Sequence, residues 1–190
     1  PVDVNAAKQT VGKAENRSVA VAAAEAALLA SDPKGLLPLK AEAEVWVTRL
    51  AVEDVEEIIR IAAGIGPNYA NAFDDFVTLL RSSGVKVRLF EPGDELPKNV
   101  TVLTVGENYP LPGKSLDLQR QRDRLGVVFS NTQNPIIYVG LKDPYDWNML
   151  QAHTVVYAVG SNISNIQAAV NLLIGKIKAT GELPVTPVNP

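Results

Sequence analysis

Two periods alternate along the chain. Residues 6 to 30 place Val11, Ala14, Val19, Ala22, Ala23, Ala26 and Leu29 on one helical stripe, and Asp32-Pro33 ends it, because proline disfavours the helical conformation in the residue before it. Leu36-Leu-Pro-Leu39 reads as a short extended segment, and its proline places it at an edge or in a ribbon outside the sheet. Glu44 to Leu50 is a strand by its β-branched and aromatic content. Helical spacing returns over Glu53 to Ala63, closed by Gly64 and Gly66, and over Asn68 to Ser82, where Ala72, Phe73, Phe76, Leu79 and Leu80 share a face. Gly84 turns the chain into the strand Val85 to Phe90. Val100 to Val105 is a buried strand, Leu116 to Ser130 a helix with a charged, solvated face, and Ile136 to Gly140 and Thr154 to Val159 are two further buried strands. Ser161 or Asn162 caps a last helix whose stripe is Ile166, Ala169, Val170, Leu173 and Ile174.

Strands alternating with helices predict an α/β fold: a three-layer αβα sandwich, flavodoxin-like, around a mostly parallel sheet of five or six strands, because right-handed crossovers put helices on both faces. The 190 residues suffice for one domain, spanning residues 1–190. On a sheet covered on both sides, Val45, Val47, Val87, Leu89, Val102, Leu103, Val105, Ile137, Val139, Val155, Val156 and Ala158 are expected inside.

Composition narrows the chemistry. A formal net charge of −3 gives no cationic footprint for a phosphate backbone, so nucleic acid is not an expected partner. No apolar run reaches the roughly 18 residues a membrane-spanning helix needs, so no membrane partner is expected. With no cysteine there are no disulfides, thiol nucleophiles or thiolate metal sites, and with one histidine, His153, no histidine cluster can hold a metal. His153 precedes an apolar run and reads as a helix-to-strand junction. No G-x-G-x-x-G follows a strand and no phosphate-binding G-x-x-x-x-G-K-[ST] occurs, so no cofactor is expected.

Ligands of open parallel sheets gather at the carboxyl ends of the strands. That edge is expected to present Arg49, Glu91, the loop after Val105 with Glu107, Asn108 and Tyr109, the loop Lys142 to Asp146, and Ser161-Asn162. Asp143, Tyr145, Asp146 and Asn108 are weak candidates for substrate contact; Pro144 fixes a turn there, and Asp146 can cap a short helix beginning near Trp147.

Three stretches carry a resemblance: Ala26 to Lys40 with its Leu-Leu-Pro-Leu, Pro135 to Asp146 with Asp-Pro-Tyr-Asp, and Gly175 to Val185 with Gly-Glu-Leu-Pro-Val. Over about residues 18 to 40 and 135 to 185 the chain resembles the second, carboxyl-terminal domain of family 3 glycoside hydrolases, most closely the β-N-acetylhexosaminidase branch. Asp143 departs from the Asn or Ser found first in that family's loop pattern, and residues 53 to 67 form a longer connection than the family's. The resemblance implies an αβα sandwich that is an accessory to a preceding (β/α)8 barrel, where the aspartate nucleophile and the Lys-His-x-Pro-Gly type motif reside. That motif has no match here, so the barrel is the implied partner and carbohydrate is met only through the parent enzyme. In the hexosaminidase branch the acid/base is a barrel-loop histidine, whereas some glucosidase relatives take a glutamate from this second domain; for that arrangement the resemblance offers Glu107 as the one weak candidate, set against a reading as a solvated loop carboxylate. Two other readings remain at this point: the second domain of a β-glucosidase-type enzyme, or a stand-alone sandwich binding a small sugar or a protein partner.

Overall fold

A computed structural model describes residues 3–10, 13–40, 42–50, 72–107, 118–141, 144 and 152–183. The expected helix over Glu53 to Ala63, the start of the one at Asn68, and the loops carrying Asn108, Tyr109, Asp143, Tyr145, Asp146 and Trp147 lie outside the described residues. In chain order the elements are α1 (Val4–Thr10), α2 (Ala14–Ala27), β1 (Leu29–Ser31), β2 (Glu44–Arg49), α3 (Ala72–Ser82), β3 (Lys86–Leu89), β4 (Thr101–Gly106), α4 (Leu118–Asn131), β5 (Ile136–Gly140), β6 (Thr154–Tyr157) and α5 (Ile163–Leu173).

The strands form one six-stranded sheet in the order β1-β6-β5-β4-β2-β3. All pairings are parallel except that of β1 with β6. Side chains alternate between its faces as the period of a strand requires. Val47, Leu103, Val139 and Val156 enter one core beneath α2, α3 and α5; Val102, Ile136, Tyr138 and Tyr157 enter a second, closed by Leu125 and Val128 of α4. Both faces are covered, and the αβα sandwich with a mostly parallel sheet is the architecture observed.

Ten of the twelve strand positions expected inside are buried. Val87 and Leu89 are the exceptions: Leu89 is 52% exposed and Val87 half-buried. Their strand is the outermost in the order, and its neighbours Lys86 and Arg88 pair with Glu42 and Glu44 at 4.0 and 3.3 Å. Charge along an outer strand discourages another chain from pairing with it. At the amino end the expected single helix is two, α1 and α2, and it stops at Ala27. Leu29 to Ser31 pairs instead with Tyr157 to Val155 as the antiparallel edge strand. Leu28-Leu29-Ala30 continues a helical stripe on paper, but the backbone of β6 supplies partners that a longer helix would forgo. Leu36 to Leu39 is no strand, in keeping with its proline.

The stretches that carry the family resemblance at either end of the chain meet in space. Helix α5 ends in paired bonds: Gly175 N–H donates to Leu172 O at 3.0 Å and Lys176 N–H to Asn171 O at 2.8 Å. Gly175 takes φ +77, which costs a residue without Cβ little. A Cβ there would lie 2.8 Å from Pro38 Cβ, and Leu39 N–H donates to Leu173 O at 2.7 Å. Gly181 closes the carboxyl end of α2, its N–H donating to Leu28 O at 3.0 Å. Leu-Pro-Leu and the glycine tail are therefore two sides of one seam.

Candidate functional site at the carboxyl edge of the sheet

Taken alone, the five parallel strands run 2-1-3-4-5 in space, so the order reverses between β2 and β4. In sheets of this kind ligands are held in a crevice at such a reversal, at the carboxyl ends of the two strands. Arg49 ends β2 and Glu107 follows β4, and Arg49 Nη2 lies 3.5 Å from Glu107 Oε2. Both side chains are enclosed, 10% and 3% exposed.

The surroundings fix this pair from several elements. Gln121 Nε2, on α4, donates to the Glu107 carbonyl at 2.6 Å. Arg124 Nη2, one turn on, donates to the Arg49 carbonyl at 3.1 Å and to Glu91 Oε2 at 3.2 Å. The Arg49 guanidinium carbon stands 5.8 Å from the centre of the Phe73 ring on α3, within cation–π range. A charge leaves water only where it is paired and hydrogen-bonded, and these contacts supply that pairing.

Glu107 is thus a buried, arginine-held carboxylate, which corrects the expectation of a solvated loop residue. Its burial follows from the abrupt end of β4: the residue leaves the strand directly under α4 and beside β2. So held, the carboxylate braces β4 against β2. Arg124 belongs to the charged face of α4 expected in solvent, yet Gln121, Arg124, Leu125 and Val128 fall at positions i, i+3, i+4 and i+7, the inward face of the helix. That spacing is the available signal.

The other carboxyl-edge feature is the turn after β6. Val159 takes φ +52, unusual for a β-branched residue, and Asn165 Nδ2 holds the turn by donating to Ala158 O at 2.7 Å. Asn162 caps α5 as expected, accepting from Ser164 N–H at 3.0 Å and Asn165 N–H at 3.2 Å. His153 sits at the other end of the strands. Its N–H donates to Ile136 O and its Nδ1 accepts from Ile136 N–H, both at 3.1 Å, and its ring packs 5.7 Å from that of Phe129. The histidine is a joint between β5 and β6. Among the described residues no cluster of three acidic or histidine side chains could hold a metal ion, and no helix is long and apolar enough to cross a membrane.

Asp32 supplies the most elaborate side-chain anchor near the seam. Its carboxylate accepts from the Thr154 hydroxyl and from Leu36 and Leu37 N–H at 2.8 and 2.9 Å. Burial alone raises its pKa, but the hydrogen bonds from Thr154, Leu37, Leu36 and Gly35 together outweigh burial and leave the carboxyl below its ordinary value.

No protein-family model and no curated protein matches the chain. Solved structures do. Over 99% of this chain and 20% of the other, it superposes on a fungal multi-domain family 3 β-N-acetylglucosaminidase with TM-score 0.66 and 14% identity. A family 3 β-N-acetylglucosaminidase from Paenibacillus sp. str. FPU-7 gives 0.64 and 17% over 92% of this chain and 33% of that one. The β-glucoside phosphorylase BglX gives 0.70 and 16% over 98% and 34%. The chain spans about a third or less of the length of these enzymes. At such identities the likeness is one of fold, and in fold this chain is similar to one part of family 3 glycoside hydrolases, the architecture that the sequence resemblance implied.

Proposed function

We propose that this chain is the carboxyl-terminal, non-catalytic domain of a family 3 glycoside hydrolase whose (β/α)8 barrel carries the chemistry, the parent activity being removal of terminal N-acetylglucosamine. The observation that supports this most is the superposition of nearly all of this chain on a minor part of the enzymes it resembles. Hydrolysis with retention needs two carboxyl groups about 5 Å apart flanking one sugar. Among the described residues of this edge the two carboxylates are each held by an arginine, Glu107 by Arg49 and Glu91 by Arg124. The domain's contribution is a stiff wall whose carboxyl-edge loops, with Asn108, Asp143, Tyr145 and Asp146, border the parent's sugar site. Choosing N-acetylglucosamine over glucose rests on the resemblance to the hexosaminidase branch.

The position of Glu107 at the strand-order reversal favours one other reading, the second domain of a β-glucosidase-type enzyme with Glu107 as acid/base. Kinetics separate the two. The isolated chain is expected to turn over neither a chromogenic N-acetylglucosaminide nor a glucoside, while the barrel-containing protein prefers the former. In that longer protein Glu107→Gln is expected to lower thermal stability and leave the pH profile of kcat in place. A folded Glu107→Gln enzyme that loses kcat on glucosides together with the acid limb of the profile establishes the second reading. Turnover by the pure isolated chain sinks both.

A further inference from the structure

Helix α2 is anchored at one end only. Its residues 14 to 23 are exposed, and the first buried position is Ala24. Beyond it, the described side chains of α1 are exposed except that of Ala7, which is half-buried. The side-chain hydrogen bonds of this arm are local: Asp3 accepts from Asn5 and Ala6 N–H, Thr10 donates to Ala6 O, Asn16 to Thr10 O and Ser18 to Glu15 O. None of these reaches the body of the domain.

One stretch of the arm does not suit water. Val19-Ala-Val-Ala-Ala-Ala24 is apolar without interruption, and at about 100° per residue six consecutive residues face every direction. Val19 is 68% exposed and Val21 38%. A helix apolar all round is normally a buried one. Isolated helices shorter than about 12–15 residues are marginal in water, so an unpacked outer half of α2 gains most of its order from whatever covers it.

Resting on the function proposed above, we infer that this arm is the docking seat for the preceding part of the same polypeptide, the barrel. Two observations select that occupant. The superpositions include the arm, since they cover 98–99% of this chain, and there the equivalent segment belongs to a far longer chain. The arm's charges are also mixed, Asp3 and Glu15 against Lys8, Lys13 and Arg17, too few and too interspersed for the basic face that anionic lipid or nucleic acid would require. A second copy is the competing occupant. Six residues give only about 9 Å of helix, and crossing two such stretches falls well short of the roughly 1,200 Å² of a stable interface between free molecules. A tethered partner needs far less, because the link already supplies a high effective concentration.

Hydrogen exchange on the full-length protein and on this 190-residue chain decides it. Amides of residues 14 to 23 are expected to exchange at least tenfold more slowly in the full-length protein. Val19→Asp with Ala23→Asp, at exposed positions, leaves the thermal midpoint of the short chain unchanged and abolishes the extra protection in the long one. A barrel-containing protein whose residues 14 to 23 exchange as fast as in the short chain overturns the inference. So does a short chain that sediments as a dimer and becomes monomeric on Val19→Asp. A full-length protein without a glycosidase barrel that still protects the arm overturns the proposed function and leaves the docking seat standing.

Discussion

The seam at the far end of α5 and the crevice at the carboxyl edge are built on opposite principles. At the seam every feature lowers the energy of the fold: glycines sit where only glycine fits, a backbone bond joins Leu39 to Leu173, and Asp32 gathers donors from its own loop and from Thr154. At the carboxyl edge the chain keeps features that are costly. An ion pair is buried where apolar side chains of similar volume are often as stable, and Val159 adopts a conformation worth about 1–3 kcal/mol of strain. The bonds of the seam each favour the fold, whereas the carboxyl edge keeps a buried ion pair and a strained turn.

Breaking the buried pair gives the largest expected effect. Arg49→Met strands the Glu107 carboxylate and Glu107→Leu strands the guanidinium, and removing one partner of such a pair costs about 3–5 kcal/mol. The double variant Arg49→Met with Glu107→Leu is expected to recover most of that loss, because no charge is then left buried. Chemical denaturation of the four proteins measures the coupling. Single variants within about 0.5 kcal/mol of the parent would mean that the pair is solvated, and the contrast between the two regions would dissolve.

That contrast also explains what could be read in advance. The cap and stripe of α5 were legible because Asn162, Ile166, Ala169, Val170 and Leu173 lie within one local period. The strands of the central sheet were legible for the same reason. Strand β1 was not: three residues carry too little pattern, and its conformation is chosen by β6, more than a hundred positions away. For Glu107 the sequence indicates the edge of the sheet but not the environment, since its burial depends on Arg49, 58 residues earlier in the chain. The resemblance motifs were recognised without their cause, which emerges only when Pro38 is found against Gly175 and Gly181 against the end of α2.

At the seam the sharper test is a single methyl group. Gly181→Ala brings a Cβ within 2.6 Å of Leu28 O and 3.0 Å of Ala27 O, both backbone atoms that cannot swing aside. The backbone must shift, at a cost of about 1–3 kcal/mol. Gly93→Ala, where nothing lies within 4 Å, serves as the control and is expected to stay within about 0.5 kcal/mol. Equal midpoints for the two variants would show that the tail does not close α2.

The smallest expected effect is a pH dependence that belongs to the seam alone. Because Asp32 has a folded-state pKa below its ordinary value of 3.8, the folded state favours the carboxylate. The unfolded chain takes up the proton first as pH falls, so the contribution of Asp32 is present in full above the ordinary carboxylate range and declines as pH drops through the folded value. Thr154→Val removes one of the donors that hold the pKa down and is expected to cost about 1 kcal/mol at neutral pH. That difference should shrink toward zero in acid, once Asp32 is protonated in both proteins. Asp32 is held by Thr154 and by its own loop, so adding Thr154→Val to the Arg49→Met, Glu107→Leu protein should open the same acid-dependent gap. A gap that stays constant from neutral pH into acid would mean that the Thr154 hydroxyl stabilises the fold without the charge on Asp32, and the seam would then owe its stability to packing alone.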